Sequence, residues 1–353
     1  MIVTVVIPAY NQARYLPAAL ECVLAQRGVD LDVVVVDDGS TDETPQVLRP
    51  YEGRVRTLRQ DNAGVSAARN LGIAALRGDA VLFLDADDLL GGNALASQAA
   101  FLQAHPEADM AVCRNGIFGA CDGQGMPEVF DEWPLFSGDY DVHVCHFNIA
   151  PIHAFLCRRK VVEAVGGFDA SLVGCEDHDF WLRALHLGFT ARRNPEPLVY
   201  YRKHEASATT DAHRLYRHDG LLQLRIAELL DRDAGFPRKR CEGLLANAAG
   251  SALTALRIHE REPDLARALL DIAVRRLDQA QDTGSAAGSD LTSWFLHRLL
   301  SFAAGERPAP LDPGGRLKAA LAGVLARAPG LAPGYRRESD PAAKALALAA
   351  KMY

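Results

Sequence analysis

The apolar positions of the first hundred residues fall into two alternating patterns. Residues 2–7, 33–36, 55–58 and 81–84 are short runs rich in β-branched and aliphatic side chains, whereas 13–26, 43–49 and 65–77 space their apolar residues as helices do. Strands separated by helices predict βαβ units and a mostly parallel sheet. Such a sheet is covered on both faces, which accounts for a run like Val33-Val34-Val35-Val36 with no polar alternation. Ligands of an open α/β sheet bind beyond the carboxyl ends of its strands, so the residues that follow each strand are where chemistry is expected.

Residues 105–175 are irregular and rich in Gly, Pro and aromatics, consistent with short strands and loops over one edge; a helix over 178–187 and a strand over 198–202 follow. From about residue 211 the texture changes to Ala/Leu/Arg-rich helical spacing, interrupted at 235–237, 262–263, 283–289, 307–315 and 328–334. This predicts two domains, 1–209 of α/β type and 210–353 of five or six helices, with residues 282–290 as a flexible loop. Segments 291–302 and 317–325 are apolar enough to pack on a core, a second copy of the chain or a membrane surface, with core packing favoured. No fixed-period repeat is evident.

Composition narrows the class. With 353 residues, 49% of them hydrophobic and 24% charged, the chain has material for a sizeable core. No apolar run approaches the roughly 20 residues of a membrane-spanning helix. The first eight residues read as a strand and not as a signal peptide. Seven dispersed cysteines without a C-x-x-C pair suggest free thiols in a reducing, cytoplasmic setting. The net charge of −7 argues against a nucleic-acid binder. That charge is uneven: residues 1–209 carry −11 and residues 210–353 carry +4.

The acidic excess lies in motifs at strand ends. After the first strand, Pro8 stops the ladder and Tyr10 offers a flat face beside Asn11. After the second come Asp37-Asp38-Gly39-Ser40; helix capping explains part of this run, but one of two adjacent carboxylates is free to accept hydrogen bonds from a base. Asn62-Ala63-Gly64-Val65-Ser66 then opens a helix whose Arg69 and Asn70 either lie on its surface or turn back toward a phosphate. After the fourth strand, Asp85-Ala86-Asp87-Asp88 gathers three carboxylates that repel one another unless a cation joins them, and oxygen donors of this kind suit Mg²⁺ or Mn²⁺. In Glu176-Asp177-His178-Asp179-Phe180-Trp181, Asp177 heads the apolar face of a helix, as either an N-cap or a general base. His204, after Tyr200-Tyr201-Arg202-Lys203, is structural unless a metal and diphosphate lie nearby.

Together, and in this order, these motifs and Gly166-Gly167-Phe168-Asp169 resemble the family-two glycosyltransferases of the GT-A fold, over about residues 1–209. The resemblance implies a Rossmann-like α/β domain with an additional helical domain. It implies a nucleotide-sugar site lined by Pro8, Tyr10, Asn11, Asp37, Asp38, Asn62, Arg69, Asp85, Ala86, Glu176 and His204. Tyr10 would flank the base, usually uracil, and Asp38 would bond it. Asp87, with His204, would hold Mn²⁺ or Mg²⁺ against the diphosphate, and Asp177 would be the catalytic base of an inverting transfer. The partners so implied are a UDP-sugar donor and a saccharide or glycoconjugate acceptor, in cell-surface polysaccharide or glycoconjugate synthesis. The tail would position the acceptor, form a homo-oligomer or touch the membrane peripherally. A non-catalytic nucleotide-sugar-binding module with a helical assembly domain is the alternative. A nucleotidyltransferase lacks its glycine- and basic-rich loop here, and a dinucleotide oxidoreductase lacks its G-x-G-x-x-G.

Overall fold

The computed structural model describes residues 1–119, 128–130, 140–145, 148, 150–172, 174–204, 211–258 and 261–282. The α/β part begins β1 (Ile2–Ala9), α1 (Leu16–Leu24), β2 (Asp30–Asp37), α2 (Thr44–Leu48), β3 (Arg56–Arg59), α3 (Val65–Ala74), β4 (Ala80–Phe83), β5 (Leu89–Leu90) and α4 (Ala94–Ala104). It continues with β6 (Met110–Phe118), β7 (Glu128–Phe130), α5 (Tyr140–His143), β8 (Phe155–Arg158), α6 (Arg159–Val165), α7 (Glu176–His186) and β9 (Ala191–Arg202). Helices α8 (Ala212–Arg232), α9 (Arg240–Ile258) and α10 (Pro263–Asp282) follow.

One sheet runs in the order β3-β2-β1-β4-β8-β6-β9-β5, with β7 on β6. β1, β2, β3 and β4 pair in parallel, so Ala9, Asp37, Arg59 and Phe83 end on the same edge. Val33 to Val36 are all buried, as expected for strands covered on both faces. The other half is mixed: β8 runs antiparallel to β4 and β6, whereas β6 and β9 are parallel. Here the structure differs from the sequence reading. The irregular stretch contains a nine-residue strand, β6, and the short final strand is the end of twelve-residue β9. Arg114-Asn115 in one and Arg192-Arg193-Asn194-Pro195 in the other break the apolar run by which a buried strand is recognised.

β9 positions the site. Beyond the irregularity at Cys113/Arg114 it runs beside β6 and receives β5, with Leu89 opposite Tyr200. The turn between β4 and β5 is thereby pinned to the end of β9, which explains how residues more than a hundred apart in sequence meet. An aromatic cluster lies beneath: Phe168 stacks on Phe180 at 4.5 Å, Phe83 meets Phe168 edge-on at 4.9 Å, and Trp181 stacks on Phe155 at 4.2 Å. Offset and edge-to-face contacts of this kind add to area burial.

The chain divides into two compact units, residues 1–140 with 148–210, and residues 141–147 with 211–353. In the second, Ala255, Ile258, Ala266 and Leu269 form a core between α9 and α10, with Tyr216 and Leu224 of α8 against it. Three tail helices fall within the described residues; segments 291–302 and 317–325 lie outside them. Among the described residues no helix is long and apolar enough to cross a membrane. Cys22, Cys113, Cys145, Cys157 and Cys175 are free thiols.

Candidate active site

The turn after β2 is closed by its own carboxylates. Asp37 accepts the Ser40 N–H at 2.8 Å and pairs with Arg59, whose guanidinium also reaches the Ser40 carbonyl at 3.0 Å. Gly39 sits at φ 77°, and a Cβ there would meet the Asn62 nitrogen at 2.7 Å, so glycine alone fits. Asp38 accepts from Gln60 Nε2 at 2.7 Å and from the Ala63 and Gly64 N–H groups, each at 2.9 Å. It therefore shapes the loop carrying Asn62 that leads into α3. Asn11, at φ 54°, ties the first strand's end to this turn: its Oδ1 accepts the Thr41 N–H at 2.8 Å, and its own N–H donates to Ser40 Oγ at 3.0 Å. Tyr10, next to Pro8, is left 45% exposed, a large aromatic face open at the rim.

Arg69 is directed inward. α3 packs closely on β1, since a Cβ on Gly72 would come within 2.3 Å of Val6. This places the Arg69 guanidinium 5.3 Å from the Phe168 ring centre, donating to Asp85 Oδ1 at 2.7 Å and Glu176 Oε1 at 2.7 Å. Burial opposes its charge, and the Asp85 and Glu176 carboxylates overcome that opposition and raise its pKa. Arg69 is thus committed to carboxylates in this structure and does not reach outward for a phosphate. Neighbouring Asn70 donates to the Phe168 carbonyl at 2.9 Å and accepts the Phe168 N–H at 2.7 Å. The Arg69-Asn70-x-Gly72 and Gly166-Gly167-Phe168-Asp169 motifs therefore lock together. Glu176 is consumed in the same way, its second oxygen accepting the Gly174 N–H at 2.8 Å.

The acidic turn after β4 gives each carboxylate a different partner. Asp85 meets Arg69, buried Ala86 separates it from Asp87, and Asp87 lies 2.8 Å from His204 Nε2. Asp88 is sealed, accepting the Arg202 N–H at 2.7 Å and lying 3.1 Å from His153 Nδ1. Burial, then the charges of Asp85 and Asp87, push Asp88 well up from the ordinary carboxylate range, and burial lowers His153 to about 4. Asp87 is raised too, by burial and by Asp85, with His204 acting in the opposite sense. His204 stacks on Tyr15 at 4.8 Å. Arg202 donates to the Asp87 carbonyl at 2.7 Å, and its guanidinium lies 4.3 Å from the Phe118 and 5.1 Å from the Tyr15 ring centres.

Asp177 begins α7 with both oxygens held. Oδ1 accepts the His178 N–H at 2.8 Å and Oδ2 accepts Asn148 Nδ2 at 2.7 Å. Burial and the adjacent Glu176 charge raise its pKa to about 7, against the lowering influence of Arg69. A carboxylate poised near neutrality suits general-base work. Sequence reading missed Tyr15, Arg202, His153 and Asn148. Only Arg202, two residues before His204, lay inside a motif already singled out.

Among the described residues no three His, Cys, Asp or Glu side chains converge as a complete metal cage. Asp87 and His204 nevertheless meet as one carboxylate and one imidazole at the rim. A two-donor set fits Mn²⁺ or Mg²⁺, which fill their remaining positions with water and phosphate oxygens.

The fold is the GT-A architecture found in glycosyltransferases of known structure. It is similar to S. aureus TarS 1–349 in complex with UDP-GlcNAc, with a TM-score of 0.59 and 18% identity over 95% of this chain and 92% of that one. It is also similar to the mannosyltransferase PcManGT of Pyrobaculum calidifontis in complex with GDP-Man and Mn²⁺, with a TM-score of 0.57 and 22% identity over 99% and 86%. In sequence, an uncharacterized glycosyltransferase of Rickettsia typhi is 27% identical over 213 residues, 60% of this chain and 67% of its own. Residues 4–166 match the model of glycosyl transferase family 2.

Proposed function

We propose that the protein is an inverting, divalent-cation-assisted glycosyltransferase that moves a sugar from a nucleoside-diphosphate donor, a UDP-sugar, to an acceptor hydroxyl of a saccharide or glycoconjugate in cell-surface synthesis. The observation that carries the reading is the Arg69 bridge. It ties Asp85 to Glu176, and so the two acidic motifs to each other, while Asp87 and Asp177 stay outside the bridge.

Each of the chain's groups has a role in this reading. Tyr10 flanks the base, and Asp38 holds the loop around it. Asp87 and His204 would hold Mn²⁺ or Mg²⁺, a Lewis acid that supplies positive charge to the departing diphosphate. Arg202, clamped between Phe118 and Tyr15, adds a fixed cation beside them. Asp177 takes the acceptor proton as the hydroxyl oxygen attacks the anomeric carbon. A single base opposite the leaving group corresponds to one displacement and inverted configuration. Residues 210–353 serve acceptor positioning or assembly.

The test is Asp177→Asn. With the donor chosen by thermal shift from UDP-glucose, UDP-galactose, UDP-GlcNAc and GDP-mannose with Mn²⁺, nucleoside-diphosphate release should fall by roughly 10²–10⁴-fold. UDP affinity by calorimetry should stay within about twofold, since Asp177 acts on the acceptor proton and adds nothing to nucleotide binding. Unimpaired turnover in this variant rejects the base, and no release with any donor in the wild type favours the non-catalytic module.

A further inference from the structure

We propose that Asn148 is the positioning residue of Asp177: its side-chain amide fixes the plane of the carboxylate. The inference rests on the base reading of Asp177 and adds to it a residue that no sequence motif contains.

The geometry is specific. An ionised carboxylate can only accept, so Asn148 must present its NH₂ group to it, and the 2.7 Å contact fixes the orientation of the amide. Together with the His178 N–H on Oδ1, this engages both carboxylate oxygens and leaves each a lone pair. The helix start alone fixes one oxygen, about which the group could still rotate. Charges that face Asp177 from the surrounding elements make such rotation costly to function. Glu176 precedes it on α7, Arg69 reaches it from α3, Asp85 from the turn after β4, and Tyr140 lies against it from α5. Arg69 is the one cation in this set against the Glu176 and Asp85 carboxylates, so a carboxylate released by Asn148 turns among net negative surroundings that favour its protonated form. Asn148 itself has no other described commitment: its Oδ1 is buried and meets no partner among the described residues.

Two consequences separate positioning from mere packing. A hydrogen bond donated to the charged form favours ionisation, so its loss raises the Asp177 pKa. A base must be ionised to act, so the rate rises with pH up to the folded pKa, near 7, and levels off above it. Removing Asn148 should therefore move the acid limb upward by about one pH unit. Turnover on the plateau should also drop, by about tenfold or more, because the carboxylate is no longer aimed.

The experiment uses the full chain labelled with [¹³C]aspartate, in which the Asp177 carboxyl signal is the one missing from Asp177→Asn. In Asn148→Ala its titration midpoint should rise by about one unit, with UDP binding in the presence of Mn²⁺ unchanged. In the isosteric Asn148→Asp, which keeps the shape if alanine perturbs the loop, two carboxyls share one proton. Asp177 should then titrate in two steps, the upper one above the wild-type midpoint. The pH profile of nucleoside-diphosphate release should follow the same shifts. Unshifted midpoints in both variants overturn the proposal and leave the base reading intact. If instead Asp177→Asn retains full turnover, the base reading fails, and the carboxyl midpoints still decide whether Asn148 governs Asp177.

Discussion

Arg69 in the α/β unit and Arg276 in the helical unit are both sealed from solvent, yet their surroundings differ in kind. Arg276 is enclosed by α8, α9 and α10. It donates to Asn247 Oδ1 at 3.2 Å, Asp231 at 2.6 Å, Gln279 at 2.5 Å and the Ala227 carbonyl at 2.6 Å, so each guanidinium nitrogen is used. Arg69 makes two strong contacts and leaves Nε without a partner among the described residues. Its partners sit in motifs that also carry Asp87, which meets His204, and Asp177, which meets Asn148. A buried arginine that satisfies every bond holds a bundle together. One that gathers two acidic motifs holds together the residues to which the proposed reaction is assigned. The difference lies in what surrounds the charge and not in the charge itself.

The largest effect expected from this contrast is that of Arg69→Met. Removing the cation leaves Glu176, whose side chain is 8% exposed, without its counter-charge and beside the Asp85 carboxylate, which is 33% exposed. Breaking a buried pair from one side costs about 3–5 kcal/mol. Denaturant unfolding of the full chain should show a loss of that size, together with loss of UDP binding. A loss below about 1 kcal/mol would mean that the two acidic motifs stand without the bridge.

How far such features can be read in advance follows from how local their causes are. Asp87, Asp177 and His204 are legible because each stands at the end of a recognisable strand or the start of a helix, in a fixed order along the chain. The partners of Arg69 are not. It meets one carboxylate 16 and another 107 residues away, and only closure of the fold decides whether a guanidinium on α3 turns outward to a phosphate or inward to them. β6 and the first half of β9 escaped notice because Arg114-Asn115 and Arg192-Arg193-Asn194-Pro195 interrupt their apolar pattern. Asn148 lies in no periodic element, and its contact with Asp177 spans 29 residues, across β8 and α6.

A smaller effect sharpens the distinction between a carboxylate bonded to Arg69 and one that is not. Asp85 and Asp87 are two residues apart, but the carboxylate of one is taken by Arg69 and that of the other meets the His204 imidazole. Asp87→Ala should remove the Mn²⁺-dependent part of UDP affinity, at least about 100-fold or 2.7 kcal/mol by calorimetry. His204→Ala should weaken it by about tenfold, since the carboxylate supplies the charge and the imidazole only a neutral donor. Equal UDP affinity with and without Mn²⁺ in the wild type would place the cation elsewhere. Retained metal dependence in Asp87→Ala would do the same.

The smallest effect belongs to the helical unit, although Arg276 makes the greater number of bonds. In Arg276→Met the linear side chain refills most of the volume, and the groups left behind differ in their access to water. Asp231 is 42% exposed on its side chain and can be solvated once its partner is gone. Asn247 is buried but still donates to the Gln223 carbonyl at 3.3 Å and to Gln223 Oε1 at 3.0 Å, so only its oxygen is stranded; the Ala227 carbonyl, inside α8, keeps its helical bond. One unsatisfied neutral acceptor costs about 1–3 kcal/mol, less than a buried carboxylate left without its cation. Chemical denaturation should register that loss while UDP binding in the presence of Mn²⁺ stays at the wild-type value. A larger loss than that of Arg69→Met would reverse the comparison, because the enclosed arginine would then be the one whose removal leaves uncompensated charge.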